Sequence, residues 1–103
     1  MWAQLITMRL KPGKDAELSK VFELLDAAEQ PGSGLLRSTA MRDQHDPLRI
    51  LTLVVFESEE AARAREQDPR RQERLDEARA VMAELFDGPP EFTDLGVVAD
   101  RAW

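Results

Sequence analysis

From residue 2 the chain alternates in character. Trp2, Gln4, Ile6, Met8 and Leu10 fall on one side, and Ala3, Leu5, Thr7 and Arg9 on the other, so a β-strand is expected over residues 2–10. Both sides are largely apolar, so both are expected to be covered. Pro12-Gly13 ends the strand, and the period then lengthens. Leu18, Val21, Phe22, Leu25 and Ala28 recur at helical spacing over residues 15–29, with Lys20, Glu23 and Asp26 elsewhere on the wheel. Pro31-Gly32-Ser33-Gly34 closes that helix and turns the chain. A second strand over 35–42 leads through the polar turn Asp43-Gln44-His45-Asp46-Pro47 into a third over 48–56, and a β-hairpin is the simplest connection.

The third strand holds the most informative junction. Ile50, Leu51, Leu53, Val54, Val55 and Phe56 run almost without a linker into Glu57-Ser58-Glu59-Glu60, where a hydroxyl cap and acidic residues suit the positive end of a helix. A short helix is expected over 58–66. Asp68-Pro69 then marks a fresh start, since Asp caps well and Pro is tolerated at the first helical position. Leu75, Ala78, Met82, Leu85 and Phe86 form the apolar stripe of this helix, Asp87-Gly88-Pro89-Pro90 stops it, and a last strand is expected over 92–99.

The order β-α-β-β-α-β, with its second helix broken at Asp68-Pro69, folds with right-handed crossovers into a four-stranded antiparallel sheet carrying both helices on one face. This is an α+β, ferredoxin-like arrangement. The other face, apolar at Leu5, Leu51 and Leu53, then needs a cover, and the sheet of a second copy supplies one. The 103 residues read as one domain over 1–103, large enough for one core but too small to enclose a roomy pocket unaided.

Composition narrows the chemistry. Twenty acidic against 14 basic residues give a net charge of −6, which disfavours nucleic acid and anionic membranes as partners. With no cysteine, disulfides, thiolate catalysis and zinc-cysteine sites are excluded. No apolar run reaches membrane-spanning length, and residues 1–4 lack signal-peptide features, so a cytoplasmic protein is expected. Thirteen alanines and 11 arginines against three lysines suit a GC-rich bacterial genome.

With the element order in place, the chain resembles the dimeric α+β barrel superfamily, and within it the antibiotic biosynthesis monooxygenase-like domains. The residues that carry the resemblance are Arg9-Leu10-Lys11-Pro12-Gly13-Lys14, the turn from Pro31 to Gly34, Asp46-Pro47 at the hairpin, and Val55-Phe56-Glu57-Ser58-Glu59-Glu60-Ala61. The resemblance implies a homodimer whose sheets face each other. What members of the family do is diverse. Some members are cofactor-independent oxygenases of phenols, anthrones or quinols, in which the protein supplies a dry cavity, a hydrogen-bond partner and a proton acceptor. Others degrade haem with a His, an Asn and a Trp, but those positions fall here on Leu75, Met8 and Arg65, so haem degradation is disfavoured. Phe56 stands where the family usually has Trp.

His45, the only histidine, is a candidate general base or part of a metal site within Asp43-x-His45-Asp46, although a polar turn is also where such residues serve the backbone. Four serines have only this histidine to activate them, so triad chemistry is unsupported. Trp2, Met8, Arg37 and Phe92 are the candidate ligand pocket, with core packing as the alternative for the apolar three. Arg37 and Arg9, charges within apolar strands, are expected to pair with carboxylates across a dimer interface or to bind an anion. Arginines from Arg63 to Arg79 are interleaved with acids and read as a solvated helix. Pro31 to Gly34 precedes a strand rather than a helix, so it is not a phosphate cradle. An RNA-recognition motif shares the strand order, but strand three carries Leu51, Leu53 and Val55 in place of exposed aromatics.

The expected function is a cofactor-free monooxygenase-like activity on a small aromatic, polyketide or quinol-type molecule, with no metal or flavin. The competing reading is a non-catalytic ligand-binding or stress-related homodimer, supported by the absence of tyrosine and cysteine and by the turn setting of His45.

Overall fold

In the computed structural model, which describes residues 1–103, the expected order appears: β1 (Trp2–Arg9), α1 (Leu18–Ala28), β2 (Leu35–Arg42), β3 (Arg49–Phe56), α2 (Glu59–Glu66), α3 (Pro69–Leu85) and β4 (Glu91–Gly96). The strands form one antiparallel sheet in the order β2-β3-β1-β4, an α+β ferredoxin-like fold. No helix is long and apolar enough to cross a membrane.

Register assigns the faces. Trp2 lies opposite Phe56, Ile6 opposite Thr52 and Met8 opposite Ile50, and these even-numbered side chains point to the helices. Ala3, Leu5 and Thr7 lie opposite Val55, Leu53 and Leu51 on the other face, which no element of the chain covers. The core is correspondingly one-sided. Met8, Leu10, Ile50 and Phe86 pack with Val21 of α1 and Leu85 of α3, and Trp2, Val54 and Phe56 pack with Ala62 of α2.

The element ends differ from the sequence expectation for local reasons. Residues 15–17 form a 3-10 turn before α1, and Glu29 is already extended. Phe86 also leaves the helix, because it bridges to Leu10 while Asp87 N–H donates to Arg9 O. β4 stops at Gly96, short of the expected residue 99. It pairs only with β1, whose first strand residue, Trp2, already faces Gly96, so nothing remains to hydrogen-bond further residues.

The strand-to-helix junction is built as its residues imply. Ser58 is extended and its Oγ accepts from Ala61 N–H at 3.1 Å, while Asp68 accepts from Arg70 N–H and Pro69 opens α3. Gly34, at φ +83°, accepts from Glu57 N–H through its carbonyl, and a Cβ placed on it would lie 2.6 Å from the Ala61 Cβ. The glycine therefore serves both the turn and the close approach of α2.

Arg65 straps α2 to the end of α1. Its Nε and Nη2 hold the Glu29 carboxylate, at 2.7 Å for the shortest contact, and the guanidinium stacks 5.3 Å from the centre of the Phe56 ring. The two side chains are only 16% and 23% exposed. Burial works to raise the Glu29 carboxyl, but hydrogen bonds from Arg65 and Ser33 with the nearby Arg65 and Arg71 charges outweigh it and hold the group below its ordinary 4.5.

Two outcomes are expected. Gly34→Ala destabilises the fold by about 2–4 kcal/mol, from left-handed strain plus overpacking, whereas Gly32→Ala, at φ +75° with open space around it, costs about 1–2 kcal/mol; denaturant titration compares them. Because the folded Glu29 carboxyl lies below 4.5, its contribution is fully present above pH 4.5 and is lost as pH falls through the folded value. Glu29→Gln therefore melts below the wild type at pH 7, and the gap closes progressively under acid, as read from thermal midpoints between pH 7 and pH 2.

Candidate functional site

On the helix-facing side of β1, Gln4 is the one strongly polar residue between Trp2 and Ile6. Its register partner on β4 is Asp94, and Gln4 Nε2 donates to Asp94 Oδ1 at 3.0 Å. Above them, α2 lowers Arg63 onto the same pair. Arg63 Nη2 reaches the other oxygen of Asp94 at 3.0 Å, and the guanidinium also contacts Glu66 and Glu59 at 3.2 and 3.4 Å. Its Cζ lies over the Trp2 ring, 5.0 Å from the ring centre, and that ring itself packs at 6.0 Å on Phe56. Phe92, two residues before Asp94 and on the same face, is 58% exposed. Gln4, Arg63, Glu66, Phe92 and Asp94 line a concavity of about 300 Å³ at the β1-β4 edge of the sheet.

The electrostatics follow from these contacts. The hydrogen bond from Gln4, then those from Arg63, hold the Asp94 carboxyl below the usual carboxylate range, so it stays ionised. The bond to Asp94, with help from Glu66 and Glu59, raises Arg63 in turn. One guanidinium thus faces three carboxylates, and the cleft is acidic overall. Chemically it offers an aromatic wall at Phe92, an ionised acceptor fixed in direction by two donors, and an amide that can turn its oxygen to a ligand.

The residues singled out from sequence are dispersed. Phe92 lines this cleft, whereas Trp2 lies in the core beneath Arg63. Met8 lies 6% exposed in the core with Leu10, Val21 and Ile50. Arg37 pairs in register with Val55 and therefore sits on the opposite face of the sheet. His45 occupies the β2-β3 turn, past the Arg9–Arg49 end of the strands, and β1 lies at full length between that end and Trp2. Its backbone N–H donates to Asp43 Oδ1 at 2.8 Å, which together with Arg49 holds the Asp43 carboxyl low. No group of His, Asp or Glu side chains is clustered to hold a metal ion. Leu75 and Met8, two of the positions compared with haem-degrading relatives, lie in the core, and Arg65, the third, is committed to Glu29. Arg9, expected to pair across a dimer interface or to bind an anion, has a partner within its own chain. Arg9 Nη1 pairs with Asp46 of its own chain at 2.9 Å, because the hairpin turn curls back over the end of β1.

Gln4, Arg63 and Asp94 escaped the sequence reading. Gln4 was visible as a polar interruption of an apolar strand face, but Arg63 is indistinguishable by pattern from the other arginines of a charged helix. Asp94 lies 90 residues from Gln4, and only strand pairing brings them together.

The sequence matches the antibiotic biosynthesis monooxygenase family over residues 1–84. No curated protein matches it. Among solved structures, an antibiotic biosynthesis monooxygenase-type protein of Caulobacter crescentus is similar at 24% identity and a TM-score of 0.73, covering 95% of this chain and 90% of its own. A counterpart from Bordetella bronchiseptica is similar at 18% identity and a TM-score of 0.74, covering 95% and 97%. A variant of MhuD with two manganese protoporphyrin IX molecules bound per active site is similar at 21% identity and a TM-score of 0.74, with full coverage of both chains. At these identities the structures speak for the fold, whereas the sequence match spans most of the chain. The chain belongs to the antibiotic biosynthesis monooxygenase family.

Proposed function

We propose that this chain binds a small aromatic molecule of the phenol, anthrone or quinol type in the Gln4–Arg63–Asp94 cleft, that it promotes reaction of that molecule with dioxygen without metal or flavin, and that it works as a homodimer. The observation that carries the reading is the ionised Asp94, aimed by Gln4 and Arg63 into a concavity walled by Phe92. A substrate hydroxyl donating to Asp94 becomes more electron-rich, and Phe92 offers its ring a face to stack on. For an anthrone-type methylene the balance closes without a cofactor: CH2 plus O2 yields C=O plus water, with one oxygen atom entering the product and the substrate supplying all four electrons and both protons of the water. The protein's part is to orient the substrate and hold its proton donor against a fixed acceptor.

Dimerisation is supported by surface. The chain exposes 6994 Å², against about 5,900 Å² for a compact monomer of 11.7 kDa, and the uncovered sheet face carries Leu5, Met41, Leu51, Leu53, Val55 and Leu95.

A second reading, binding without catalysis, is favoured by one feature of the same site. A carboxyl held below its usual range is a weak base, and His45 is far from it.

An oxygen electrode distinguishes the two. Metal-free protein incubated with a panel of anthrones and quinols should consume dioxygen above the uncatalysed rate, and Asp94→Asn should lower kcat by about a hundredfold. Saturable quenching of Trp2 fluorescence, measured in a Trp103→Phe background, without any added dioxygen uptake would establish the binding reading instead. Neither signal across the panel would sink both. Light scattering should return twice the 11.7 kDa chain mass.

A further inference from the structure

The uncovered face of the sheet carries four charged side chains by register: Arg9, Arg37, Arg49 and Glu91. Arg9 pairs with Asp46 and Arg49 with Asp43, both within the chain. Arg37 and Glu91 make no side-chain hydrogen bond and have no ion-pair partner. They occupy diagonal corners of the apolar patch. Arg37 is on one edge strand, level with Val55, Ala3 and Leu95, and Glu91 is on the other, level with Thr7, Leu51 and Met41. Three strand spacings separate them across the sheet and four residues along it, about 14 Å and about 13 Å, so Arg37, Met41, Glu91 and Leu95 mark a nearly square patch with Leu5 and Leu53 near its centre.

A square patch meets a second copy of itself about a two-fold axis lying between the sheets in four simple ways. With the axis along the strands, Arg37 lands on the partner's Leu95 and Glu91 on the partner's Met41. With the axis across the strands, Arg37 lands on the partner's Met41 and Glu91 on the partner's Leu95. Both arrangements press an unpaired charge onto an apolar side chain. Along the diagonal through Arg37 and Glu91, each charge meets its own copy. Along the diagonal through Met41 and Leu95, Arg37 meets the partner's Glu91, Glu91 meets the partner's Arg37, and methionine and leucine meet their own copies. Resting on the homodimer reading above, we propose that Arg37 and Glu91 form two reciprocal ion pairs between protomers, and that these select the near-orthogonal crossing of the two sheets from the alternatives open to an otherwise featureless apolar face. The crossing is one of the two usual ways that sheets stack. The pairs act chiefly as a register device, since like-charge juxtaposition penalises the wrong arrangements more than a rim ion pair stabilises the right one.

The test is charge exchange followed by sedimentation equilibrium, with circular dichroism to confirm folding. Both residues are exposed and without side-chain partners in the chain, so Arg37→Glu and Glu91→Arg leave the fold intact. Each alone should weaken dimerisation at least about tenfold, because every interface then holds two like-charge pairs. Mixing the two variants should restore a heterodimer, and the doubly exchanged chain should dimerise within about threefold of wild type. If single reversals dimerise like wild type, or the mixture dimerises no better than either alone, the ion pairs are wrong while the homodimer stands. A wild type that stays monomeric at every concentration defeats the homodimer reading itself. Should a reversal fail to fold, Arg37→Gln and Glu91→Gln in a double-mutant cycle take its place, and an absent coupling would overturn the proposal.

Discussion

β1 is hydrogen-bonded on both sides, to β3 along its whole length and to β4 over six residues, and its side chains alternate with a period of two. A slip of one residue in either pairing would exchange the faces of the central strand, sending Met8 and Trp2 out and Thr7 and Arg9 in. The burial of Trp2 and Met8 on one side is therefore what sets the register, and the register sets everything else. It places Gln4 against Asp94 beneath α2, and it places Leu5 beside Leu53 on the uncovered face. The cleft and the apolar face are two sides of one constraint.

Arginine does much of the positioning around that frame. Arg65 clamps Glu29 with two nitrogens, Arg42 reaches Asp15 ahead of α1, Arg9 and Arg49 hold the hairpin aspartates, and Arg63 spans three carboxylates. A planar guanidinium can meet a carboxylate edge-on and still lie over an aromatic ring, which an ammonium cannot do in the same way; here the Cζ of Arg63 lies over Trp2 and that of Arg65 over Phe56. Most of these pairs are solvated and contribute little to stability individually, so their effect is on geometry. The partly buried Arg65–Glu29 pair is the exception, because breaking it would strand a shielded charge.

Within the core, Thr52 is the one buried polar residue, and its hydroxyl has no hydrogen-bond partner. It lies opposite Ile6 on the helix-facing side, where a valine of the same shape would leave no such orphan. The stability of this small domain therefore rests on packing by few residues, since only 15 of 103 are buried in the isolated chain. That scarcity is itself a consequence of a sheet covered on one face only.

Element order, the two breaks at Pro31-Gly32-Ser33-Gly34 and Asp68-Pro69, and the two-sided apolar character of β1 and β3 were legible in the chain, because period, caps and turn residues are local properties. The family was legible for the same reason, through contiguous motifs such as Val55 to Ala61. The cleft was not. Arg63 and Asp94 are ordinary charged residues until antiparallel pairing and one helical turn bring them to Gln4, and Arg37 parted from Trp2 only because a register irregularity between Leu35 and Arg37 turns β2 over. Sequence by itself determined which segments become strands and helices and that one sheet face lacks a cover. Tertiary structure decided which side chains meet, since contacts across 90 residues depend on strand order and register, and no local pattern encodes either.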